Sequence, residues 1–137
     1  MTEDCIFCKI VEGKIPSAKL YEDGDCIAFL DISPAVKGHT LVVPKKHHET
    51  LLDITEEGLK ALMIKVRSIA KSIVDATSAE GFNLLQNNKK IAGQMIPHIH
   101  FHIIPRYPGD GQDFSWKHVK YGEGEMEEYK NSIKKRL

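Results

Sequence analysis

Residues 97 to 105 read Pro97-His98-Ile99-His100-Phe101-His102-Ile103-Ile104-Pro105, and no other stretch restricts the fold and chemistry of this chain so tightly. Side chains of an extended strand alternate between two faces. His98, His100 and His102 therefore form one row, while Ile99, Phe101 and Ile103 form the other and predict a strand lying on a core. A row of imidazoles is neither the aliphatic filling of a buried face nor the mixed polar surface of a solvated one. Imidazole titrates near neutrality, binds zinc and attacks electrophiles. A lone histidine on an apolar face is usually a satisfied core residue; strict alternation of three outweighs that reading.

The rest of the chain predicts how this strand is housed. Ile6, Phe7, Ile10 and Val11 follow helical spacing before Gly13. Strands are expected over 18–22 and 26–31, joined by the turn Glu22-Asp23-Gly24-Asp25. A third is expected over 39–43, between Gly38 and Pro44. Thr55 reads as an N-cap with Glu56 and Glu57 in the first turn. Leu59, Leu62, Met63, Val66, Ile69, Ala70 and Ile73 then form one apolar stripe on a long helix. A strand over 81–87 precedes the histidine row. Gly109-Asp110-Gly111 marks a flexible loop, and a last helix starts near Glu125 with Met126, Tyr129 and Ile133 on one side. The expected class is α+β: an antiparallel sheet with one long helix packed on a face and short helices at both ends.

A length of 137 residues predicts one domain, with a core over about 5–106 and a carboxy-terminal tail over 107–137. Nineteen basic residues balance nineteen acidic ones, which excludes the long-range field of a nucleic-acid or anionic-membrane binder. The acidic start and the lack of a membrane-length apolar run predict a cytoplasmic protein. Two of the three cysteines form Cys5-x-x-Cys8, which reads as metal binding or redox chemistry rather than a disulfide framework. With His47 and His98 these thiolates would close a tetrahedral four-donor site, His48 being the rival to His47. The bland alternative is a pair of reduced thiols near a terminus. Cys26 reads as a small buried residue, and Trp116 in the tail as packing.

The histidine row, with Gly93-Gln94 ahead of it, resembles the histidine triad (HIT) family, whose histidines alternate with single apolar residues and end in two. Residues 98 to 104 match that pattern at every position, and the resemblance runs from about residue 5 to residue 106. It implies a HIT-like fold and a nucleotide hydrolase or transferase. Such an enzyme cleaves at the alpha-phosphate of nucleoside phosphoramidates, dinucleoside polyphosphates or other AMP conjugates, through a covalent nucleotidyl-histidine intermediate. By the same resemblance His100 is the nucleophile and His102 contacts the phosphate or the bridging atom. Asn87 and Gln94 match polar sites ahead of the triad, His39 matches a histidine lining the site, and Asp31 matches the acid on the ribose hydroxyls. Ile6, Phe7, Ile10, Phe29 and Ile32 match the apolar base pocket, although from sequence alone they read equally well as core. The subgroup with an amino-terminal cysteine pair implies structural zinc on Cys5, Cys8, His47 and His98, and the family implies a homodimer.

Met95 departs from the pattern, standing in the substrate-binding loop where many members carry Ser or Thr. The backbone N–H survives there and the hydroxyl is gone. Two rivals to the enzyme reading follow: a nucleotide-binding regulatory module with little turnover, and a zinc hydrolase using the histidine row as ligands. An intact His100 and Asn87 favour nucleotidyl chemistry over the first, and the lack of a carboxylate or open fourth position nearby ranks the second last.

Overall fold

Alternation along three neighbouring strands builds a sheet with two apolar faces. The computed structural model describes residues 2–137. Helix α1 (Ile6–Val11) leads to strands β1 (Lys19–Glu22), β2 (Cys26–Leu30) and β3 (Thr40–Pro44). Helix α2 (Glu56–Thr77) then precedes β4 (Gly81–Leu85) and β5 (Phe101–Arg106), with helix α3 (Glu125–Lys134) in the tail. Among the described residues the five strands pair antiparallel in the order β1-β2-β3-β5-β4.

Cys26 and Ala28 of β2, Val42 of β3 and Phe101 and Ile103 of β5 pack with Ile99 under the α2 stripe Leu62, Val66, Ile69, Ala70 and Ile73. Ile27, Phe29, Leu41 and Val43, from the opposite face, pack with Cys5, Phe7 and Cys8. The short α1, too brief to persist alone, is therefore held by this second core. Leu41 pairs with His102 across β3 and β5, so the α1 face of the sheet is the face of the histidine row. Burial of these two layers supplies the main driving force for the fold.

Thr55 caps α2 as expected, its hydroxyl accepting the Gly58 N–H at 3.1 Å. The β1–β2 turn is organised by Asp23 rather than Gly24: Asp23 Oδ1 accepts the N–H groups of Asp25 and Cys26 at 2.7 and 2.9 Å. β5 starts at Phe101, three residues inside the expected row. Pro44 ends β3, and its carbonyl is taken by the His98 ring, while the Ile99 N–H donates to the His48 carbonyl at 2.7 Å. Pro97 has no N–H to offer a ladder. β4 ends at Leu85 rather than 87 because Gln86 and Asn88 bond to each other, and Asn88 Oδ1 accepts the Leu51 N–H at 2.7 Å.

The loop expected at 109–111 is present, with Gly109 and Gly111 in the left-handed region, and it is tied to the body of the fold. Arg106 pairs with Asp110 at 2.8 Å, Tyr107 donates to the Lys37 carbonyl, and Gln112 to the Ala35 carbonyl. Trp116, expected to pack, is 77% exposed, and Met126, Tyr129 and Ile133 of α3 are also exposed. Among the described residues no helix is long and apolar enough to cross a membrane.

Candidate active site and metal centre

The cysteine pair and two distant histidines converge at the head of β5. Cys5 Sγ lies 3.3 Å from His98 Nδ1, Cys8 Sγ lies 3.3 Å from His47 Nδ1 and 3.6 Å from His98 Nδ1, and the two Nδ1 atoms are 3.1 Å apart. Metal–sulfur and metal–nitrogen bonds of zinc-like length, arranged tetrahedrally, require donor spacings of about 3.3–3.8 Å. His98 is wholly buried, and its Nε2 donates to the Pro44 carbonyl at 2.8 Å. That bond holds the proton on Nε2 and leaves the Nδ1 lone pair aimed at the sulfurs, the outer-shell arrangement a ligating histidine uses. Burial pushes the His98 pKa down to about 4, which keeps the ring neutral as a ligand must be. Burial and the neighbouring Cys5 push the Cys8 thiol up to about 11, so that ionising it needs a cation close by. The four donors, all within 4.8 Å of one another, therefore fit a closed tetrahedral ion. His47 rather than His48 belongs to the set.

Two residues further on, the same strand presents a different nitrogen. His100 Nδ1 donates to the His98 carbonyl at 2.7 Å. The neutral tautomer therefore carries its lone pair on Nε2, and burial lowers the pKa of the ring, favouring that neutral form. Phe7 packs edge-on against it, with centroids 4.9 Å apart. His100 and His102 form part of the wall of a cleft of about 490 Å³, together with Ile6, Phe7, Ile10, Phe29, Asp31, Ile32 and Met95. A cleft with an apolar end, a carboxylate and a lone-pair imidazole can bind a base and a sugar and bring an electrophile to nitrogen.

The apolar residues at issue between core and pocket divide. Phe7 and Phe29 are buried and serve both, whereas Ile32 is 94% exposed at the rim. Asp31 is anchored by the Ser33 N–H, which donates to its Oδ1 at 2.8 Å. Asn87 sits against Gly93, at the loop that forms the opposite wall. Met95 projects from that loop, 76% exposed.

Two residues differ from the sequence expectation. His39 lies behind the cleft wall, buried, with its Nε2 2.9 Å from His102 Nδ1. Gln94 is 5% exposed, and its side chain is consumed by the fold: Oε1 accepts the Lys89 N–H at 2.7 Å and Nε2 donates to the Glu49 carbonyl at 2.6 Å. It ties the Gly93–Ile96 loop down instead of reaching into the cleft. Sequence reasoning missed Ser17, Ser33, Leu41 and Ile96 in the lining, and the backbone groups of Ala35 and Pro44 that orient imidazoles. Only Ser33, beside Asp31 in a Ser-Pro turn, carried a signal.

Residues 12–109 match the HIT domain model. The protein Hit of Bacillus subtilis is 49% identical over 138 aligned positions, covering 98% of this chain and 95% of that protein. An adenosine 5′-monophosphoramidase of Schizosaccharomyces pombe is 46% identical, covering 74% of each chain. An adenylylsulfatase of Arabidopsis thaliana is 46% identical over 80% of this chain and 56% of its own length. Among solved structures, a HIT family protein from Bacillus subtilis superimposes with a TM-score of 0.91 at 47% identity, covering 98% and 97% of the two chains. A zinc-bound histidine triad protein from Mycobacterium smegmatis gives 0.77 at 32% identity over the full length of both. With its alternating histidines on the α1 face of a five-stranded antiparallel sheet, this chain belongs to the HIT family.

Proposed function

We propose that this protein is a nucleotidyl hydrolase that cleaves AMP conjugates at the alpha-phosphate through a covalent intermediate on His100. The observation that carries this reading is the 2.7 Å bond from His100 Nδ1 to the His98 carbonyl, which leaves the Nε2 lone pair as the nucleophile. Asp31 would accept the ribose hydroxyls, with Ile6, Phe7, Ile10, Phe29 and Ile32 around the base. Asn87 and the backbone of the Gly93–Met95 loop would donate to the phosphate oxygens as charge builds on them. His102 would contact the bridging atom. The relatives named as a monophosphoramidase and an adenylylsulfatase both split a nucleotide from a leaving group, which supports the class.

Cys5, Cys8, His47 and His98 would hold structural zinc, a reading supported by their spacing and by the zinc-bound relative. Four protein donors leave no open position, so the ion would supply stability and not an activated water. The chain forms one domain with a tail, and a homodimer is supported by the open β4 edge. There the exposed Phe82 and Leu84 face an apolar groove against Met63, Val66 and Val74 of α2.

The test is a quench experiment with a conjugate labelled at the alpha-phosphate. Wild type should yield an acid-labile, base-stable adduct on His100, and His100→Ala should form none. An adduct on another residue, or near-normal turnover by His100→Ala, would overturn the assignment. Tight nucleotide binding without adduct or product would favour the regulatory-module reading.

A further inference from the structure

The helix that walls the nucleotide cleft also carries the two thiols. Cys5 is the N-cap of α1 and Cys8 lies in its first turn. Ile6, Phe7 and Ile10 of the same helix line the cleft. Phe7 is the joint between the two sites. Its ring packs edge-on against His98 at 5.9 Å, His100 at 4.9 Å and Phe29 at 5.8 Å between centroids. It therefore touches a candidate metal donor, the proposed nucleophile and the base pocket at once. Ile6 and Ile96 line both the cleft and the pocket beside Cys5 and His47, so the two sites share a wall.

Few polar bonds attach α1 to the sheet. Among the described residues, the backbone hydrogen bonds of residues 2–17 stay within that segment, and the first link to the sheet is the Leu30 N–H donating to the Ala18 carbonyl at 3.0 Å. The side-chain polar contacts of α1 and its cap with the body are those of Cys5 and Cys8 with His98 and His47. Apart from these, α1 is held by the packing of its apolar residues in the second core. Ordering the segment costs conformational entropy at every residue, and a helix of six residues does not persist alone. A thiol and a neutral imidazole make only a weak hydrogen bond, whereas one ion shared by four donors joins them by four coordinate bonds. The core under α2 contains no residue of α1 and does not depend on it.

We infer that the four-donor centre latches α1 onto the sheet, so that metal binding assembles the base side of the nucleotide cleft and nucleotide binding in turn holds the metal. This inference rests on the nucleotide reading of that cleft. None of Cys5, Cys8, His47 and His98 lines the cleft, so all four are positioning residues that act through Ile6, Phe7 and Ile10. With the metal removed, α1 leaves the sheet for part of the time while the five strands and α2 stay folded. The cleft then keeps Phe29, Asp31 and Leu41 but loses its α1 wall. Apparent nucleotide affinity falls in proportion to the fraction of molecules with α1 docked. Coupling between two sites is reciprocal, so the nucleotide raises metal affinity by the factor by which the metal raises nucleotide affinity.

The test compares zinc-loaded protein with protein stripped by a chelator under a phosphine reductant, which keeps Cys5 and Cys8 as thiols. AMP is the probe, titrated by calorimetry, so no turnover enters the measurement. Couplings of this kind are typically about 5–150-fold, and stripped protein should bind AMP at least about tenfold more weakly, with added zinc restoring the affinity. AMP should shift the partition of zinc between the protein and a competing chromophoric chelator by the same factor. On stripping, hydrogen exchange should rise across residues 5–12 and stay unchanged across α2. Equal AMP affinity with and without zinc would overturn the latch. So would loss of α2 protection together with α1, which would make the ion a support of the whole domain. Zinc-loaded protein that binds no AMP would overturn the nucleotide reading of the cleft, and protein that takes up no zinc would overturn the metal reading, the latch falling with either.

Discussion

Substituting Gly93 by alanine tests whether the loop wall of the cleft is held by backbone conformation. Gly93 follows the short 3-10 turn Lys90–Ala92 with φ +92° and ψ 12°, a left-handed conformation. A side chain there costs about 1–2 kcal/mol. The added Cβ would also lie 3.3 Å from Asn87 Nδ2, tighter than ordinary packing, so the Asn87 amide must give way by a few tenths of an ångström. A loss of that size corresponds to a drop of about 3–10 °C in the melting midpoint of a domain this long. Turnover should fall more than stability implies, because Asn87 is the proposed phosphate donor and small misplacements of such groups cost up to about 10²-fold. Thermal melts and steady-state kinetics on an AMP conjugate read both effects. Gly93→Asn is a useful control: asparagine tolerates the left-handed region better but keeps the Cβ contact. It should recover part of the stability and little of the rate. A Gly93→Ala protein with unchanged midpoint and unchanged kcat would refute the reasoning.

Four further outcomes are expected. Asn87→Ala should slow turnover by about 10²–10³ with the fold intact, as loss of a transition-state donor does, and a normal rate would remove Asn87 from the site. Protein prepared without chelator should contain about one zinc per chain, and Cys5→Ser with Cys8→Ser should lose both the metal and thermal stability; elemental analysis and melts decide. Burial holds His102 down to about 4 and lowers His39, whereas the unfolded rings titrate near about 6.5. Unfolding therefore takes up protons below that value, so stability is fully present above about pH 6.5 and declines as pH falls towards about 4, an acid limb that melts across pH would reveal and that His102→Gln should weaken. Light scattering should give twice the chain mass at micromolar concentration, and a monomer would leave the β4 edge open.

How much was legible in the sequence depended on which groups carried the information. The Thr55 cap, the α2 stripe and the strands β2 and β3 are written in side chains, and each appears close to where those side chains predict, whereas β5 starts three residues inside its histidine row. The convergence of the four candidate metal donors was legible because thiol and imidazole in one chain have few other joint uses. What stayed hidden resides mostly in backbone groups. Pro44 and His98 offer the carbonyls, and Ala35 the amide, that decide which nitrogen of each imidazole is free. No residue type marks a carbonyl's direction. Gln94 misleads for a related reason: its amide is as suited to tying Lys89 and Glu49 together as to holding phosphate, and burial chose the former. His39 likewise reads as a site residue; the register that sets Leu41 opposite His102 puts it on the same sheet face, where it is buried against His102 and absent from the cleft lining.

The candidate metal centre and the proposed covalent centre meet in one residue. His98 turns its Nδ1 towards Cys5, Cys8 and His47, while its carbonyl accepts the Nδ1–H of His100. The first interaction immobilises the ring, and the second uses the same residue's backbone to choose the His100 tautomer. A strand running in register from residue 98 would spend that carbonyl on a neighbouring strand. Here β5 begins only at Phe101, so the carbonyl remains for the imidazole. The late start of the strand has its own cause in Pro44 and Pro97, neither of which has an N–H for a ladder. Two prolines thus free a carbonyl, the carbonyl sets a tautomer, and the tautomer makes one histidine of an otherwise repetitive row able to attack.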